Sequence, residues 1–498
     1  MKIHRYTVKR LEKQTRNKKI ICFGAGNNCE GVLRKVSDLK LEKRVSYIVD
    51  NNSEKWGTRK KILAEEFEIK GSEALREENW TESVVLMMIV SYKEPLKQLQ
   101  EMGLGEDMTV ILYPEHRFWY DKILDWLFRH LPIRRCAVFQ GEGDTCENAL
   151  GVVEAWKKRG FGKYRIGWFC EHPERFFSTR KERYILRSLP LKPHGLRDSF
   201  YFYSFLNRAR YLIYENTMME KVRKNQISCY MNHGIPLKAT KGFIQVFEDT
   251  DYVLSPSENI NSIIAEQFGA RADQLVLCGE PRTDVLFRPE KKEQLTELLQ
   301  LREYSKMVLW TPTFRAHTSA SRRDSMKVFP FGLPLMETEE DVKRLREKLE
   351  EERVLLVIKP HIHQELSELI VEESRNIRVV KQDVLDGLGA NVYDLMKFAD
   401  AMITDYSSIG FDYLLLNRPI GYSIDDMKEY KIGFSVPDPF EFMPGMHMET
   451  MIDLLEFIQN IVDGKDEYEA FREERKKFLF AFPDGENGAR LLDILGIK

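Results

Sequence analysis

The sequence predicts an α/β fold with parallel sheets. Short apolar runs typical of strands alternate with helical segments along most of the chain, which is the pattern of consecutive βαβ units. The 498 residues are enough for about two to four domains. A composition of 43% hydrophobic and 31% charged residues is that of a globular protein rather than a disordered or fibrous one. We therefore expect several packed parallel sheets in one chain.

Residues 1–117 predict a small Rossmann-like domain. Its strand-like runs cover residues 19–23, 45–50, 84–90 and 108–113. Gly24 and Gly26 follow the first run and Asp50 ends the second, as in part of a dinucleotide-binding fingerprint, but Gly31 falls one position later than GxGxxG requires. Two interpretations stay open: a nucleotide site at Gly24, Gly26 and Asp50, or a tight strand-to-helix turn without a cofactor.

Residues 118–135 predict an amphipathic helix between domains. One side of it carries large apolar side chains, and basic side chains lie nearby: Trp119, Ile123, Trp126 and Leu127, with Lys122, Arg129, Arg134 and Arg135. Such a helix can lie in a lipid interface, which would give peripheral membrane contact, or it can pack one domain onto the next. The most apolar run of the chain, residues 84–90, is too short for the roughly 20 residues of a membrane span, and no signal peptide is expected.

The remaining chain predicts two further Rossmann-type lobes. Strand and helix patterns resume at residue 136, and a polar helical segment at residues 289–306 separates two such series. We expect one lobe at residues 136–298 and another at residues 299–498, facing each other across a cleft in a GT-B-like pair.

Charge and cysteine usage exclude some classes of function. The net charge of −2 gives no reason to expect nucleic-acid binding. Seven scattered cysteines without a CxxC pair argue against a disulfide framework or a structural zinc site, and they favour a reducing, cytoplasmic compartment. His361, His363 and Glu365 do not have the spacing of a known metal motif, so no metal site is expected.

Four motifs stand where predicted strands end: HGIPLK at 233–238, WTPTFR at 310–315, KPH at 359–361 and TDYSSIGFD at 404–412. Because the carboxyl ends of parallel strands meet at one edge of a sheet, these motifs should converge on the cleft. Their histidine, cationic and hydroxyl side chains suit the binding and transfer of phosphate. Some of these side chains have structural alternatives to ligand binding. Ser407 and Ser408 can cap a helix, and Asp405 can either orient a ligand hydroxyl or cap the same helix. Arg282 can pair with Asp284.

From about residue 136 to 495 the chain closely resembles the CDP-glycerol glycerophosphotransferase family of teichoic-acid and capsule synthesis. The resemblance is carried by these motifs together with GEPRTD at 279–284. One departure is Ile235, where the family commonly has threonine. The resemblance implies transfer of an alditol phosphate from CDP-glycerol or CDP-ribitol to a hydroxyl of a glycolipid or polyol-phosphate acceptor, with release of CMP. It implies no cofactor, and it places the reaction in the cytoplasm at the inner face of the cell membrane.

The resemblance also implies roles for single residues. His233 would be the general base, because a neutral imidazole with a pKa of about 6.5 can take a proton from the attacking hydroxyl. His361 would contact the pyrophosphate and the leaving CMP. Substrate contacts are implied for Lys238, Arg282, Thr313, Arg315, Lys359, Asp405, Ser407 and Ser408. Two other functions stay open: a nucleotide-sugar glycosyltransferase on the same GT-B architecture, and a binding or scaffold protein whose N-terminal domain senses a dinucleotide.

Overall fold

The computed structural model describes residues 2–5, 13–25, 29, 41–62, 65–88, 93–104, 108–112, 119–141, 147–169, 185–189, 195–215, 219–239, 245–289, 292–313, 325, 327–360 and 373–497. The chain divides into two compact units, Met1–Phe118 and Trp119–Lys498.

The first unit holds a seven-stranded sheet. Its strands are β1 (Lys2–Arg5), β2 (Lys19–Phe23), β3 (Val45–Val49), β4 (Arg59–Ile62), β5 (Glu65–Lys70), β6 (Ser83–Met87) and β7 (Thr109–Leu112), in the order β1-β7-β6-β2-β3-β5-β4. Helix α1 (Lys93–Glu101) precedes β7, and short 3-10 helices cover Leu41–Arg44, Ser53–Lys55 and Ser72–Glu77. Only β4, which pairs with β5, runs antiparallel among these strands. The central order is that of a Rossmann sheet, as predicted.

The second unit begins with a lobe built on an entirely parallel sheet. Its strands are β8 (Arg134–Gln140), β9 (Arg165–Trp168), β10 (Leu186–Ser188), β11 (Ala209–Tyr214), β12 (Ile227–Tyr230), β13 (Tyr252–Ser255) and β14 (Leu275–Leu277), in the order β10-β9-β8-β11-β12-β13-β14. Its helices are α2 (Trp119–His130), α3 (Glu147–Lys158), α4 (Leu196–Leu206) and α5 (Asn261–Phe268). Its 3-10 helices are Glu258–Ile260, Ala272–Gln274 and Pro281–Phe287. We call this part the first lobe.

A second lobe follows, again with a parallel sheet. Its strands are β15 (Lys306–Trp310), β16 (Val354–Ile358), β17 (Ile377–Val379), β18 (Ala401–Thr404), β19 (Ile420–Ser423) and β20 (Met446–Met448), in the order β17-β16-β15-β18-β19-β20. Its helices are α6 (Glu293–Leu298), α7 (Glu339–Glu351), α8 (Gln382–Gly387), α9 (Val392–Met396), α10 (Ile409–Leu414), α11 (Met451–Asp463), α12 (Glu469–Leu479) and α13 (Asn487–Ile494), with 3-10 helices at Leu301–Glu303 and Pro439–Phe442.

Both lobes have the 3-2-1-4-5-6 strand order of a Rossmann fold, and the first lobe adds a seventh strand. Their strands read as nearly continuous apolar runs because helices cover both faces of a parallel sheet, as the fully buried β16 shows. The predicted α/β class and the pair of Rossmann-type lobes are confirmed. Among the described helices, none is both long and apolar enough to cross a bilayer.

Candidate active site

The turn that carries His233 follows β12 directly. His233 itself is exposed, and it stands between two residues with left-handed backbone, Asn232 at φ 52° and Gly234 at φ 119°. The Gly234 N–H donates to Asn232 Oδ1 over 2.7 Å, which closes a tight turn around the histidine. The Asn232 side chain is fully buried beneath it.

At Gly234 the first lobe comes into close contact with the second lobe. A Cβ atom at this position would lie 2.6 Å from Ser408 Oγ and 2.7 Å from Arg282 Nη2. Glycine is therefore required twice, once by the positive φ and once by the close approach. The turn of the first lobe thus lies against the serine pair of the second lobe.

The serine pair occupies the bend between β18 and α10. Ser408 is the N-cap residue of α10, but its side chain makes no capping hydrogen bond. Ser407 and Ser408 are both partly exposed. The Ser408 hydroxyl is therefore not used to cap the helix, and it faces the His233 turn through Gly234.

Asp405 and Thr313 tie the carboxyl ends of two adjacent strands together. Asp405 is fully buried after β18, and its carboxylate accepts hydrogen bonds from the Thr313 N–H over 2.9 Å and from the Thr313 hydroxyl. Thr313 follows β15, which neighbours β18 in the sheet. This pair fixes the crevice at the topological switch point of the second lobe.

Arg282 lies at the centre of a buried group of charges. Its guanidinium pairs with Glu280 and, over 3.0 Å, with Asp412 of the second lobe, and the Tyr393 hydroxyl donates to the same Asp412 carboxylate over 2.6 Å. Burial raises the pKa of Glu280 to about 8 and also raises the pKa of Asp412. Asp284 has other partners: its carboxylate accepts the N–H groups of Asn487 and Gly488.

Two lysines of the motifs lie in different settings. Lys238 forms an isolated antiparallel bridge with Phe434, and the neighbouring Ser435 N–H donates to the Leu237 carbonyl over 2.8 Å. Lys359 is buried at the end of β16, where its ammonium donates to the Pro360 carbonyl over 3.0 Å. Burial lowers the pKa of Lys359.

A cavity of about 350 Å³ opens between the lobes beside Arg282. Its walls come from α3, from the Pro281–Phe287 helix and from residues 386–397. Both cationic and acidic residues line it, among them Lys157, Arg288 and Lys397 with Glu147 and Asp386. Burial raises the pKa of Glu147 to about 7. A charged, partly enclosed space of this kind suits a polar ligand.

In the first unit, Asp50 is engaged within its own turn. Its carboxylate accepts the Ala25 N–H over 2.7 Å and the Asn52 N–H over 2.9 Å, and it pairs with Lys55 over 3.3 Å. Gly24 has the positive φ of 104° that a tight turn requires. Asp50 therefore joins the residue that follows Gly24, at the end of β2, to the turn that follows β3.

Several candidates lie outside the described residues: Gly26, Arg315, His361, His363 and Glu365. Within the described part of the chain, no group of three or more histidine, cysteine or acidic side chains is arranged to hold a metal ion.

Four residues at the site were not singled out by sequence reasoning: Asn148, Asn232, Glu280 and Tyr393. All four are buried: Asn148 and Asn232 form hydrogen bonds with the His233 turn, Glu280 pairs with Arg282, and the Tyr393 hydroxyl donates to Asp412, the other partner of Arg282. The sequence signal was position: Glu280 is part of the GEPRTD segment, where no role was assigned to it, and Asn232 directly precedes the HGIPLK segment.

The chain was compared with known proteins. The model of the CDP-Glycerol:Poly(glycerophosphate) glycerophosphotransferase family matches residues 137–496. A teichoic acid glycerol-phosphate primase of Bacillus spizizenii is 30% identical over 47% of this chain and 55% of its own length. The teichoic acid ribitol-phosphate polymerase TarK of Staphylococcus aureus is 28% identical over 47% of this chain and 43% of its own length.

Among solved structures, the wall teichoic acid polymerase TagF aligns with a TM-score of 0.58 at 18% identity, covering 81% of this chain and 97% of that chain. This likeness supports the fold. The chain spans about half the length of the curated relatives it matches. Since the family model covers nearly three quarters of the sequence, the chain belongs to the CDP-glycerol:poly(glycerophosphate) glycerophosphotransferase family.

Proposed function

We propose that the chain transfers an alditol phosphate, glycerol phosphate or ribitol phosphate, from a CDP-alditol to an acceptor hydroxyl in the synthesis of a teichoic-acid-like polymer. The observation that carries the proposal is the approach of the His233 turn to Ser408 and Arg282, which joins motifs from both lobes at the cleft. Family membership and the glycerol-phosphate and ribitol-phosphate relatives support this donor class.

The chemistry requires a base and a cradle for phosphate. The acceptor oxygen attacks the phosphorus that bears the alditol, the bond from that phosphorus to the bridging oxygen breaks, and CMP leaves with the electron pair. His233 takes the proton of the attacking hydroxyl, and its exposed position beside the second lobe suits this role. The imidazolium then returns its proton to solvent or product.

The phosphate cradle would come mainly from the second lobe. Ser407 and Ser408 would donate to phosphate oxygens, which their partial exposure allows, and Lys359 would supply a positive charge at the end of β16. Asp405 and Thr313 hold the crevice in shape. The resemblance adds Lys238, Arg282, Arg315 and His361 as further substrate contacts, with His361 next to the leaving CMP.

The direct test is release of CMP by the full chain from CDP-glycerol or CDP-ribitol in the presence of a soluble polyol-phosphate acceptor. His233→Ala should lower kcat by about 100-fold or more, because removal of a general base costs roughly 10²- to 10⁴-fold. The exposed His130 at the end of α2 provides the control, since His130→Ala should leave turnover unchanged in this assay. Unchanged turnover in a folded His233→Ala protein would remove the base assignment.

A competition experiment separates this function from a nucleotide-sugar glycosyltransferase. CDP-alditols should displace a bound CDP probe, and UDP-sugars should not. Stronger displacement by a UDP-sugar, with sugar transfer and no CMP release, would replace the proposed function with the glycosyltransferase.

We also propose that α2 contacts the inner face of the cell membrane, where a lipid-linked acceptor would be found. Three apolar side chains on this helix are exposed: Ile123 (54%), Trp126 (63%) and Leu127 (40%). Helix α4 lies alongside, with rings of Phe128 and Phe200 in contact at 5.1 Å. Exposed Lys122 and Arg129 would attract anionic lipid.

Sedimentation with anionic liposomes tests the membrane contact. The double variant Ile123→Ser and Trp126→Ser should lose most of the bound fraction, because apolar area and not charge alone holds an interfacial helix. Ile452 on α11 is equally exposed at 63%, so Ile452→Ser is the matched control and should bind as the wild type does. Equal binding of all three proteins would exclude α2 as the contact.

A further inference from the structure

We propose that Asn148 and Asn232 are positioning residues that set the place of the His233 imidazole for the transfer reaction. This inference rests on the proposed function for its catalytic consequence. Neither side chain needs to touch substrate, because both act on the backbone that carries His233.

The buried side chain of Asn232 holds the turn through two hydrogen bonds. Its Oδ1 accepts the Gly234 N–H over 2.7 Å, and its Nδ2 donates to the Leu254 carbonyl in β13 over 3.1 Å. The first bond spans His233, and the second anchors the turn to the neighbouring strand. Asparagine also tolerates the left-handed backbone at this position better than most side chains do.

Asn148 supports the same turn from a second direction. Its Nδ2 donates to the Asn232 carbonyl over 3.3 Å, and its Oδ1 accepts the Arg282 N–H over 3.1 Å. Asn148 is fully buried in the first turn of α3. It therefore connects the His233 turn to the segment whose Arg282 guanidinium pairs with Asp412 of the second lobe.

The result is a continuous set of hydrogen bonds from β13 and α3 to the backbone on both sides of His233. On its other side the turn is limited by Ser408, because Gly234 leaves no room for a side chain there. The backbone beneath His233 therefore sets where its exposed ring stands, and proton transfer needs that placement to be accurate.

The experiment compares Asn232→Gly and Asn148→Ala with wild type in the CMP-release assay. Glycine keeps the left-handed backbone at 232 and removes only the side-chain bonds. We expect kcat to fall about 10- to 100-fold in both variants, with the KM for the CDP-alditol within about threefold, because a misplaced base slows the chemistry more than it weakens binding.

Asn376→Ala is the matched structural control. Asn376 is also buried, and its amide donates to the Leu349 and Val354 carbonyls at 2.9 Å each, at the opposite end of the second-lobe sheet from the motifs. This variant should lower the melting temperature and leave kcat within about twofold. If Asn232→Gly and Asn148→Ala lose stability as Asn376→Ala does and keep wild-type kcat, the positioning role is wrong.

A second measurement keeps the inference separate from the proposed function. In protein labelled at histidine, the His233 ring signal, assigned by its loss in His233→Gln, should shift or broaden in Asn148→Ala, while the signals of the other histidines stay in place. Absence of CMP release from wild type would reject the proposed function but not this placement. An unchanged His233 signal in both asparagine variants would overturn the inference itself.

Discussion

At the scale of the residue, the candidate site depends on polar groups that have been removed from water. Arg282 and Glu280 lie in the first lobe and Asp412 in the second, and each has at most 5% of its surface exposed. Buried carboxylates are costly unless they are paired, so an arginine between two of them keeps the group in place. The cost is expressed in the raised pKa of Glu280, which is about 8.

This raised pKa predicts how stability depends on pH. In the unfolded chain Glu280 has an ordinary pKa of about 4.3. Between that value and about 8 the folded protein holds a proton that the unfolded protein lacks, so the free energy of unfolding falls as the pH rises. The slope for one proton is at most about 1.4 kcal/mol per pH unit. As the pH rises from about 5 to about 8, the free energy of unfolding should therefore fall less in Glu280→Gln than in the wild type.

Urea denaturation at several pH values measures this difference. The exposed Glu258→Gln is the control, and its curve should follow the wild-type curve. If Glu280→Gln and wild type show the same pH dependence, Glu280 does not hold the extra proton in the folded protein.

Residue types that suit phosphate chemistry could be singled out from the sequence, whereas the residues that support them could not. His233 and Ser408 were predicted as site residues because histidine and serine at strand ends suit phosphate transfer. Asn148 and Asn232 are asparagines on α3 and after β12, 84 positions apart, and their relation exists only through a hydrogen bond formed in the fold. A pattern along the chain carries no signal for such a pair.

At the scale of the element, apolar strands were predictable and polar ones were not. Strand β6 (SVVLM) is buried along its whole length, and its sequence shows this directly. The hairpin of β4 (RKKI) and β5 (EEFEIK) lies at the edge of its sheet, where charged side chains face water. The two segments therefore contain few apolar residues, and their sequences give little indication of strands.

Helix α3 shows how closely two elements can pack around the site. A Cβ atom on Gly151 would lie 2.2 Å from the Pro281 carbonyl oxygen, so α3 touches the backbone of the segment that carries Arg282. Helical glycine is otherwise unfavourable by about 1 kcal/mol relative to alanine. The close approach gives the physical reason for a glycine in the middle of this helix.

We predict that Gly151→Ala lowers the free energy of unfolding by about 1–3 kcal/mol, because the added methyl group must push the Pro281 segment away. Gly387 in α8 is the matched control, since nothing lies within 4 Å of its Cβ direction. Gly387→Ala should be neutral or stabilise by up to about 1 kcal/mol. Chemical denaturation of both variants measures the contrast, and a stabilised Gly151→Ala protein would contradict the packing described here.

At the scale of the second unit, the two lobes are joined by more than their facing motifs. After α12 the chain returns to the first lobe, so that α13, although it follows the second-lobe helices in sequence, packs there: Leu491, Leu492 and Ile497 enter the core formed with α3 and β8. Asp284 accepts the N–H groups of Asn487 and Gly488 over 2.9 Å and 2.8 Å and so caps the start of α13. Part of the first lobe's core is therefore supplied by the end of the chain.

The return of the chain makes Asp284 a structural link, and it leads to a prediction about the whole unit. Asp284→Ala should lower the free energy of unfolding by about 2 kcal/mol, because two amide groups at the buried start of α13 lose a charged acceptor. Asp493 provides the comparison: its carboxylate pairs over 2.7 Å with Arg159, which directly follows α3, but the Asp493 side chain is 69% exposed. Asp493→Ala should cost less than about 1 kcal/mol, since exposed ion pairs contribute little.

Hydrogen exchange followed by mass spectrometry distinguishes a local effect from one that spreads. In Asp284→Ala, faster exchange should appear in α13 and also in α3, since Leu491 and Leu492 of α13 belong to the same core cluster as Val152 of α3. The strands of the second-lobe sheet should keep wild-type protection, because the cluster that their residues form on one face, around Trp310 and Ile358, contains no residue of α3 or α13. If exchange increases in α13 alone, the end of the chain lies on the first lobe without stabilising it, and the two lobes are held together by the cleft contacts around Arg282 and Gly234 instead.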